Sequence, residues 1–440
     1  MSVQKLRSST PFAVIVVCVA VFTDIFLYGL VVPMLPFALA DRVGLSDGDI
    51  QRWNSILLAT YGAAIMLGSL LFGWMGDQTR TKQLPFLLGV GVMGGATLLF
   101  SLTTSLLLII LARVLQGCST AIVFTIGFSL LLDTVGDRHI GRAIGFTSMS
   151  LSVGLFAGPI VGGFLYDLAG YFAVFIPAFV LVALEFLLRM LLITPRHDPE
   201  VKQPITDEDQ RPLIPGTAGR QSPRTPAVFT LMRTPRFAVA MLGMFMLNSF
   251  MTAYEAVLPV YLPEVFFYRS TQIAIVFLSN TLPMICSPVG GSLVDHLGPF
   301  WPAVLGFGLI TPSMMLLSLI RVPGTLHSVL LRLFLFLFGC GVSVAMPAMM
   351  TEITLAKDAM EEGEPGIFGD RGACSQAYGL SNAAFAGGTL VGPLYAGYMR
   401  EAAGWTAMNI SLGVFSGLMV VLIIMFTPRK RPGVVRRTRA

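Results

Sequence analysis

Long apolar runs alternate with short polar, glycine- or proline-containing breaks along most of this chain. A helix needs about 20 apolar residues to cross a bilayer, and the runs reach or exceed that length. We therefore predict twelve membrane-spanning helices and an all-α polytopic membrane fold. The predicted helices run over 12–40, 53–75, 84–104, 106–133, 141–167, 171–194, 236–263, 271–294, 300–320, 326–355, 372–399 and 404–427.

One long polar segment divides the twelve helices into two sets of six. It is rich in proline and charge and poor in aromatic residues, a composition typical of disordered linkers. The predicted divisions are an N-terminal tail (1–11), a first bundle (12–194), the linker (195–235), a second bundle (236–427) and a basic tail (428–440).

Composition excludes several classes of protein. The chain is 55% hydrophobic and only 12% charged, whereas soluble globular proteins carry about 25% charged residues. Its five cysteines show no metal-ligand spacing, and no nucleophile–base pair is visible. We expect no enzymatic activity, no metal and no cofactor.

The positive charges predict orientation. Most lysines and arginines lie in the tails, the linker and the loops on the same side of the predicted helices. The opposite loops hold Arg42, Arg52, Arg269, Arg321 and Arg400. By the positive-inside rule both termini face the cytoplasm. The basic residues thus reflect membrane topology, and no nucleic-acid partner is expected.

The predicted fifth helix is unusually rich in glycine. Gly154, Gly158 and Gly162 are spaced four residues apart and share one helical face, with Pro159 and Gly163 beside them. Small residues at this spacing let a neighbouring membrane helix approach closely. We predict a helix-packing face with a hinge at the proline.

The two predicted bundles repeat parts of each other's sequence. The Gly-x3-Asp pattern at 73–77 returns at 291–295, and the Gly-Pro pair at 158–159 returns at 392–393. Such internal repeats predict two pseudo-symmetric six-helix bundles. Asp77, at the end of the second helix, is expected to take part in gating.

Charged residues inside predicted spans each cost about 2.5–3.5 kcal/mol on insertion scales, and three of them are candidates for chemistry. Asp24 is in the first helix, Arg113 in the fourth and Glu255 in the seventh. A carboxyl removed from water can take up and release protons near neutrality, so we predict proton coupling by Asp24 and Glu255, modulated by Arg113. A structural ion pair remains the alternative. Glu185 and Arg189, one turn apart, are predicted to pair within the sixth helix.

These patterns resemble a known family. The spacing from Gly145 to Gly163 resembles the antiporter signature of drug:proton antiporters in the major facilitator superfamily, and LARVLQG at 111–117 resembles its fourth-helix signature. AYEAVLPVYLPEVF at 253–266 is most similar to vesicular amine transporters and their fungal relatives. The resemblance implies the major facilitator fold, with Asp24 and Glu255 matching that family's acids.

The resemblance also implies a cavity and a set of substrate contacts. Where that family carries a lysine in the second helix and an aspartate in the eleventh, this chain has Tyr61 and Asn382. The predicted substrate-binding residues are Tyr28, Tyr61, Gln116, Asn248, Tyr378 and Asn382.

We therefore expect a monomeric secondary transporter that exports a small organic molecule, such as a drug, an amine or a secondary metabolite, in exchange for protons. The alternatives are a uniporter or proton symporter of an organic acid or sugar, and a non-transporting receptor on the same fold. The expected location is the plasma membrane, with a vacuolar or vesicular membrane as the alternative suggested by the acidic dileucine pattern at 209–214.

Overall fold

A computed structural model of the chain describes residues 9–78, 83–135, 140–192, 231–363, 367 and 374–429. At 47, 73–78, 129, 132–133, 135, 140–145, 148, 288, 295 and 374–379 it describes the backbone alone. The predicted linker therefore falls mostly outside the described residues, as do most of both tails.

The described residues form twelve helical segments in the predicted order. These are α1 (Thr10–Val31), α2 (Asp47–Gln78), α3 (Gln83–Leu102), α4 (106–135), α5 (Ile140–Ala169), α6 (Tyr171–Leu191), α7 (Pro235–Phe266), α8 (270–297), α9 (Phe300–Leu317), α10 (Thr325–Gly363), α11 (374–403) and α12 (405–426). By length and composition, ten continuous helices of the described chain could cross a membrane. That number takes α11 and α12 as one helix across the kink at Gly404 and omits α8, whose apolar part Ser270–Cys286 is shorter.

The helices depart from regular α geometry at points that the hydrophobic pattern does not mark. The first helix was expected to continue to residue 40, but α1 ends at Val31 and a short helix, Leu35–Ala38, follows. Pro33 and Pro36 explain the break, because proline cannot donate a backbone hydrogen bond. A π-helical turn at Val123–Gly127 interrupts α4, and a 3₁₀ turn at Leu282–Cys286 interrupts α8.

The helices form two six-helix halves, the N half (α1–α6) and the C half (α7–α12). In the N half, α1 packs closely along α5 because α5 carries glycine at the contact positions. A Cβ on Gly154 would collide with the carbonyl oxygen of Phe22, one on Gly158 with that of Phe26, and one on Gly162 with that of Leu30. The predicted packing face of the fifth helix is therefore the face that contacts α1, and Pro159 lies within it against Gly29.

The C half repeats this arrangement between α7 and α11. A Cβ on Gly388 would collide with the carbonyl of Phe245, and one on Gly392 with the carbonyl of Ser249. The glycines are again four residues apart, and so are the carbonyls that they meet. The sequence repeat at the Gly-Pro pairs thus corresponds to a repeated contact, as the pseudo-symmetric fold requires.

The halves differ in their cores. The C half has one continuous apolar cluster, running from Leu231 to Ile423 and extended by Tyr28 and Tyr61 of the N half. The N half has two separate clusters, one containing Phe26 and Ala112 and the other containing Val21 and Ile122. The layer between the two N-half clusters holds buried polar and charged side chains.

The halves contact each other on the side opposite the termini, here called the far side. The amide of Asn54 donates to the Ala256 carbonyl at 2.7 Å, and the backbone N–H of Thr271 donates to the Asp167 carboxylate at 2.8 Å. The described conformation is therefore closed on the far side.

Candidate functional site

Glu255 of α7 joins the two halves next to Ala256, whose carbonyl takes part in the far-side contact. The Tyr28 hydroxyl of α1 donates to Oε2 of Glu255 at 2.6 Å. Every other α7 residue from 247 to 262 is buried, whereas Glu255 is half-buried. Glu255 as a residue borders accessible space, and its hydrogen-bond partner comes from the opposite half, so a change of charge on Glu255 alters the contact between the halves.

Two stacked tyrosines of the N half extend the site from Glu255. The rings of Tyr28 and Tyr61 lie with centroids 4.8 Å apart and planes 22° apart. The hydroxyls of Tyr61 and Thr120 are 3.1 Å apart, within hydrogen-bond distance. An aromatic surface beside a carboxylate can stabilise an organic cation both electrostatically and through the ring faces.

Arg113 of α4 lies close to these tyrosines and is fully buried. Its Nη1 donates to Oε1 of Gln116 at 3.2 Å, and its guanidinium lies 5.0 Å from the centroid of the Phe100 ring. Its Nε and Nη2 find no hydrogen-bond partner, and no carboxylate forms an ion pair with it among the described residues. The predicted site residues Arg113, Gln116, Tyr28 and Tyr61 are thus brought together in the N half.

Asp24 has neighbours that its position in the sequence did not suggest. It is 1% exposed and lies within electrostatic range of Glu185 and Arg189 of α6. Glu185 and Arg189 form the predicted pair within α6, and both are equally buried. Asp24 therefore does not share a site with Glu255. It belongs to a separate group of charges between α1 and α6.

The remaining predicted site residues are distributed differently. Asn248 donates to the Phe385 carbonyl and, at 2.7 Å, to the Thr389 hydroxyl, so its amide group holds α7 against α11. Asn382 is half-buried on α11. The side chains of Tyr378 and Asp77 lie outside the described part of the chain.

The predicted gating glycines divide between two contacts. Gly154, Gly158 and Gly162 contact α1 within the N half, as described above. A Cβ on Gly163 would instead collide with Ser270 and Ala274 of α8. Gly163 therefore permits close approach of α5 to α8, which is a contact between the halves.

Sequence reasoning missed the polar groups that close the far side. Gln51 and Asn54 of α2 both donate to the carbonyl of Ala256, and Arg400 of α11 donates to Gln51 and forms an ion pair with Glu264. Polar residues three positions apart share a helical face. The three-residue spacing of Gln51 and Asn54 was the sequence signal that could have indicated a polar contact face on α2.

The fold and these sites together define a polytopic membrane transport protein, with two helical halves and its titratable groups buried in and between them. The comparisons with known proteins agree. Residues 17–360 match the Major Facilitator Superfamily. The chain belongs to the major facilitator superfamily, and it is a transporter rather than an enzyme.

Individual relatives extend this result. The chain is 31% identical to the MFS-type transporter ppzB of Metarhizium rileyi, covering 98% of both chains. It is 23% identical to the synaptic vesicular amine transporter of Bos taurus, covering 86% of this chain and 67% of that one. The crystal structure of a POT family transporter in complex with 5-aminolevulinic acid superposes with a TM-score of 0.73 at 16% identity, covering 94% of this chain and 96% of that one. The predicted resemblance to vesicular amine transporters and fungal relatives is confirmed.

Proposed function

We propose that this transporter exports a small organic molecule, such as an amine, a drug or a secondary metabolite, in exchange for protons. The observation that carries the proposal is the hydrogen bond between Tyr28 and Glu255 across the two halves. A half-buried carboxylate at the moving interface can bind a proton or a cationic group, and exclusive binding of one or the other is the physical basis of antiport.

The site favours a cationic substrate. Glu255 supplies a negative charge, and the stacked rings of Tyr28 and Tyr61 supply aromatic surface. The similarity to a protein named as an amine transporter supports the same class. A neutral apolar substrate remains compatible with the many phenylalanine and methionine side chains of the chain.

The orientation of the cycle follows from the position of the positive charges in the sequence. With both termini in the cytoplasm, the conformation closed on the far side is the one that loads substrate from the cytoplasm. The cation displaces the proton from Glu255 and breaks its bond to Tyr28. Opening to a more acidic far side, at a plasma membrane or a vacuolar membrane, then returns a proton to Glu255 in place of the substrate.

A reconstitution experiment tests this proposal. The full chain is placed in liposomes with a pH-sensitive dye inside, and a panel of amines, organic acids and uncharged metabolites is screened for proton movement opposite to substrate movement. Glu255→Gln is expected to abolish the exchange, because the amide can hold neither a proton nor a cation. Glu401→Gln, which removes an exposed acid, is the matched control and should exchange as the wild type does.

The same experiment separates the alternatives. Protons and an organic acid or sugar that move in the same direction would identify a symporter. Substrate movement without protons would identify a uniporter. Exchange that survives in Glu255→Gln would remove this residue from the mechanism.

A further inference from the structure

The charged residues between α1 and α6 form a cluster that the proposed site does not use. Asp24, Glu185 and Arg189 are each 1% exposed. Arg189 forms an ion pair with Glu185, donates to the Phe86 carbonyl of α3, and lies with its guanidinium 3.6 Å from the centroid of the Phe86 ring. We call these three side chains the α1–α6 charge cluster.

The charges of the α1–α6 charge cluster do not sum to zero when all three side chains are ionised. Two carboxylates then face one guanidinium, which leaves one negative charge in a site sealed from water. Oδ2 of Asp24 and Oε2 of Glu185 have no hydrogen-bond partner among the described residues. An unpaired ionised carboxylate in such surroundings is very costly, and the usual outcome is that the group is neutralised instead.

Among the described residues, Arg189 is the one cation that acts on Asp24; the buried Arg113 of α4, which also packs against α1, acts on Tyr61 rather than on Asp24. Glu185 and Arg189 of α6 interact electrostatically with Asp24, and so does Tyr61 of α2. On α1, Thr23 faces Glu185. Among the described residues, α3 contributes to Arg189 the Phe86 carbonyl and ring, and α5 brings no charged side chain to Asp24. A proton is the cation that this sealed space can hold.

We propose that Asp24 and Glu185 share a single proton, with Arg189 as the counter-ion of whichever carboxylate is ionised, and that this cluster is a second proton-holding site of the transporter. Two interacting carboxyls titrate as a pair rather than as individuals. The transport role of the cluster rests on the proposed proton exchange, whereas the shared proton does not.

The position of the cluster connects it with the first site. Asp24 and Tyr28 are one turn apart on α1 and so lie on the same face. Tyr61, which is in electrostatic range of Asp24, stacks on Tyr28, and Tyr28 donates to Glu255. A charge change at Glu255 therefore reaches the cluster through two contacting aromatic side chains.

Infrared spectroscopy of the full chain in lipid nanodiscs tests the shared proton. A protonated carboxyl gives a carbonyl stretching band that shifts in heavy water. At neutral pH we expect such a band in the wild type, and we expect Asp24→Asn and Glu185→Gln each to abolish the same band, because Arg189 then balances the one carboxylate that remains. Glu401→Gln should leave the band unchanged.

The outcomes decide the inference. If the wild type has no such band, or if Glu185→Gln leaves it intact, the cluster is an ordinary ion pair beside an independent acid and the inference is wrong. If either substitution prevents folding, Glu185→Asp and Asp24→Glu keep both acids and should move the band without removing it. An unmoved band in these folded variants would equally overturn the assignment.

The exchange assay distinguishes this inference from the proposed function. Where the wild type exchanges, we expect Glu185→Gln to carry one proton fewer per substrate, because the shared proton is then absent. Unchanged proton counts would overturn the transport role while leaving the exchange itself established. If no probe is exchanged by the wild type, the proposed function fails, and the infrared comparison still decides whether the proton is shared.

Discussion

The buried polar groups of the N half and those of α7 in the C half are hydrogen-bonded to different degrees. In the C half, the buried polar side chains of α7 are hydrogen-bonded: Tyr254 donates to Asn409 at 2.8 Å, and Thr252 donates to the Asn248 carbonyl at 2.9 Å. In the N half, Asp24, Arg113 and Glu185 each leave at least one polar atom without a partner among the described residues.

The cores show the same contrast. One apolar cluster fills the C half, whereas a polar layer separates two clusters in the N half. A continuous apolar core makes a rigid body, while buried unpaired charges are costly and are retained in membrane proteins chiefly where function needs them. We therefore expect the N-half charges to respond to protons together with Glu255 of α7, while the rest of the C half supports them by apolar packing.

The largest expected effect comes from removing one arginine from each half. Arg189→Met removes the counter-ion of Asp24 and Glu185 from the sealed N half, a change that costs about 3–5 kcal/mol. Arg236→Met breaks the C-half bridge to Glu352. Glu352 is also buried, but Arg236 is 19% exposed, so water can replace part of the lost interaction and the cost should be smaller. Thermal unfolding in detergent, followed by tryptophan fluorescence, measures both. Equal losses of unfolding temperature in the two variants would mean that the two halves depend equally on their buried ion pairs.

The glycine contacts are where the halves should behave alike. Gly162→Ala places a methyl group onto the Leu30 carbonyl, and Gly392→Ala does the same at the Ser249 carbonyl of the C half. Overpacking of this kind costs about 3 kcal/mol. We expect both variants to unfold at lower temperature.

Gly95→Ala is the control for these two variants, because a Cβ there meets nothing within 4 Å. It should unfold as the wild type does. A tolerated Gly162→Ala would show that α1 and α5 are free to separate.

Tyr28→Phe removes the hydrogen bond to Glu255 that joins the two halves, and it keeps the aromatic ring that stacks on Tyr61. A hydrogen bond to a neutral carboxyl contributes about 1 kcal/mol, so the far-side-closed state should lose about fivefold in population relative to other states. Labelling of an introduced cysteine near the far side reports that opening. Tyr166→Phe, which removes a hydroxyl bonded to the exposed Asp41 in the N half, is the control and should label as the wild type does. Unchanged labelling of Tyr28→Phe would separate Glu255 from gating.

The smallest effect is expected at the far-side surface. Arg400→Gln removes the ion pair with Glu264, which is 52% exposed. Pairs of this kind contribute below about 1 kcal/mol and are screened by salt. The same labelling assay should show a slight increase that disappears at high ionic strength. A large, salt-independent increase would instead make Arg400 a main support of closure.

Much of the fold could be predicted from the sequence because it follows from local patterns. Apolar runs gave the helices, the spacing of Gly154, Gly158 and Gly162 gave the α5 packing face, and the four-residue spacing of Glu185 and Arg189 gave their pair. Each of these depends on residues close together in the chain. The family's signatures then supplied the arrangement of the bundles.

The candidate site was only partly predictable, because helix spacing does not reveal which neighbour a face meets. Asn248 shares a face with Glu255 by its spacing, yet its amide is committed to α11. Asp24 was grouped with Glu255 because both are acids inside spans, whereas tertiary packing turns it toward α6. The hydrogen bond of Tyr28 to Glu255 joins residues 227 positions apart.

The interrupted helix α8 has a consequence for how the protein is made. Its apolar part, Ser270–Cys286, is shorter than the stretch of about 20 residues that inserts readily by itself. Only residues 267–269 separate it from α7, which is long and apolar. We therefore expect the membrane-insertion machinery to receive α7 and α8 as one hairpin, so that a polar substitution in α7 prevents the integration of α8 as well.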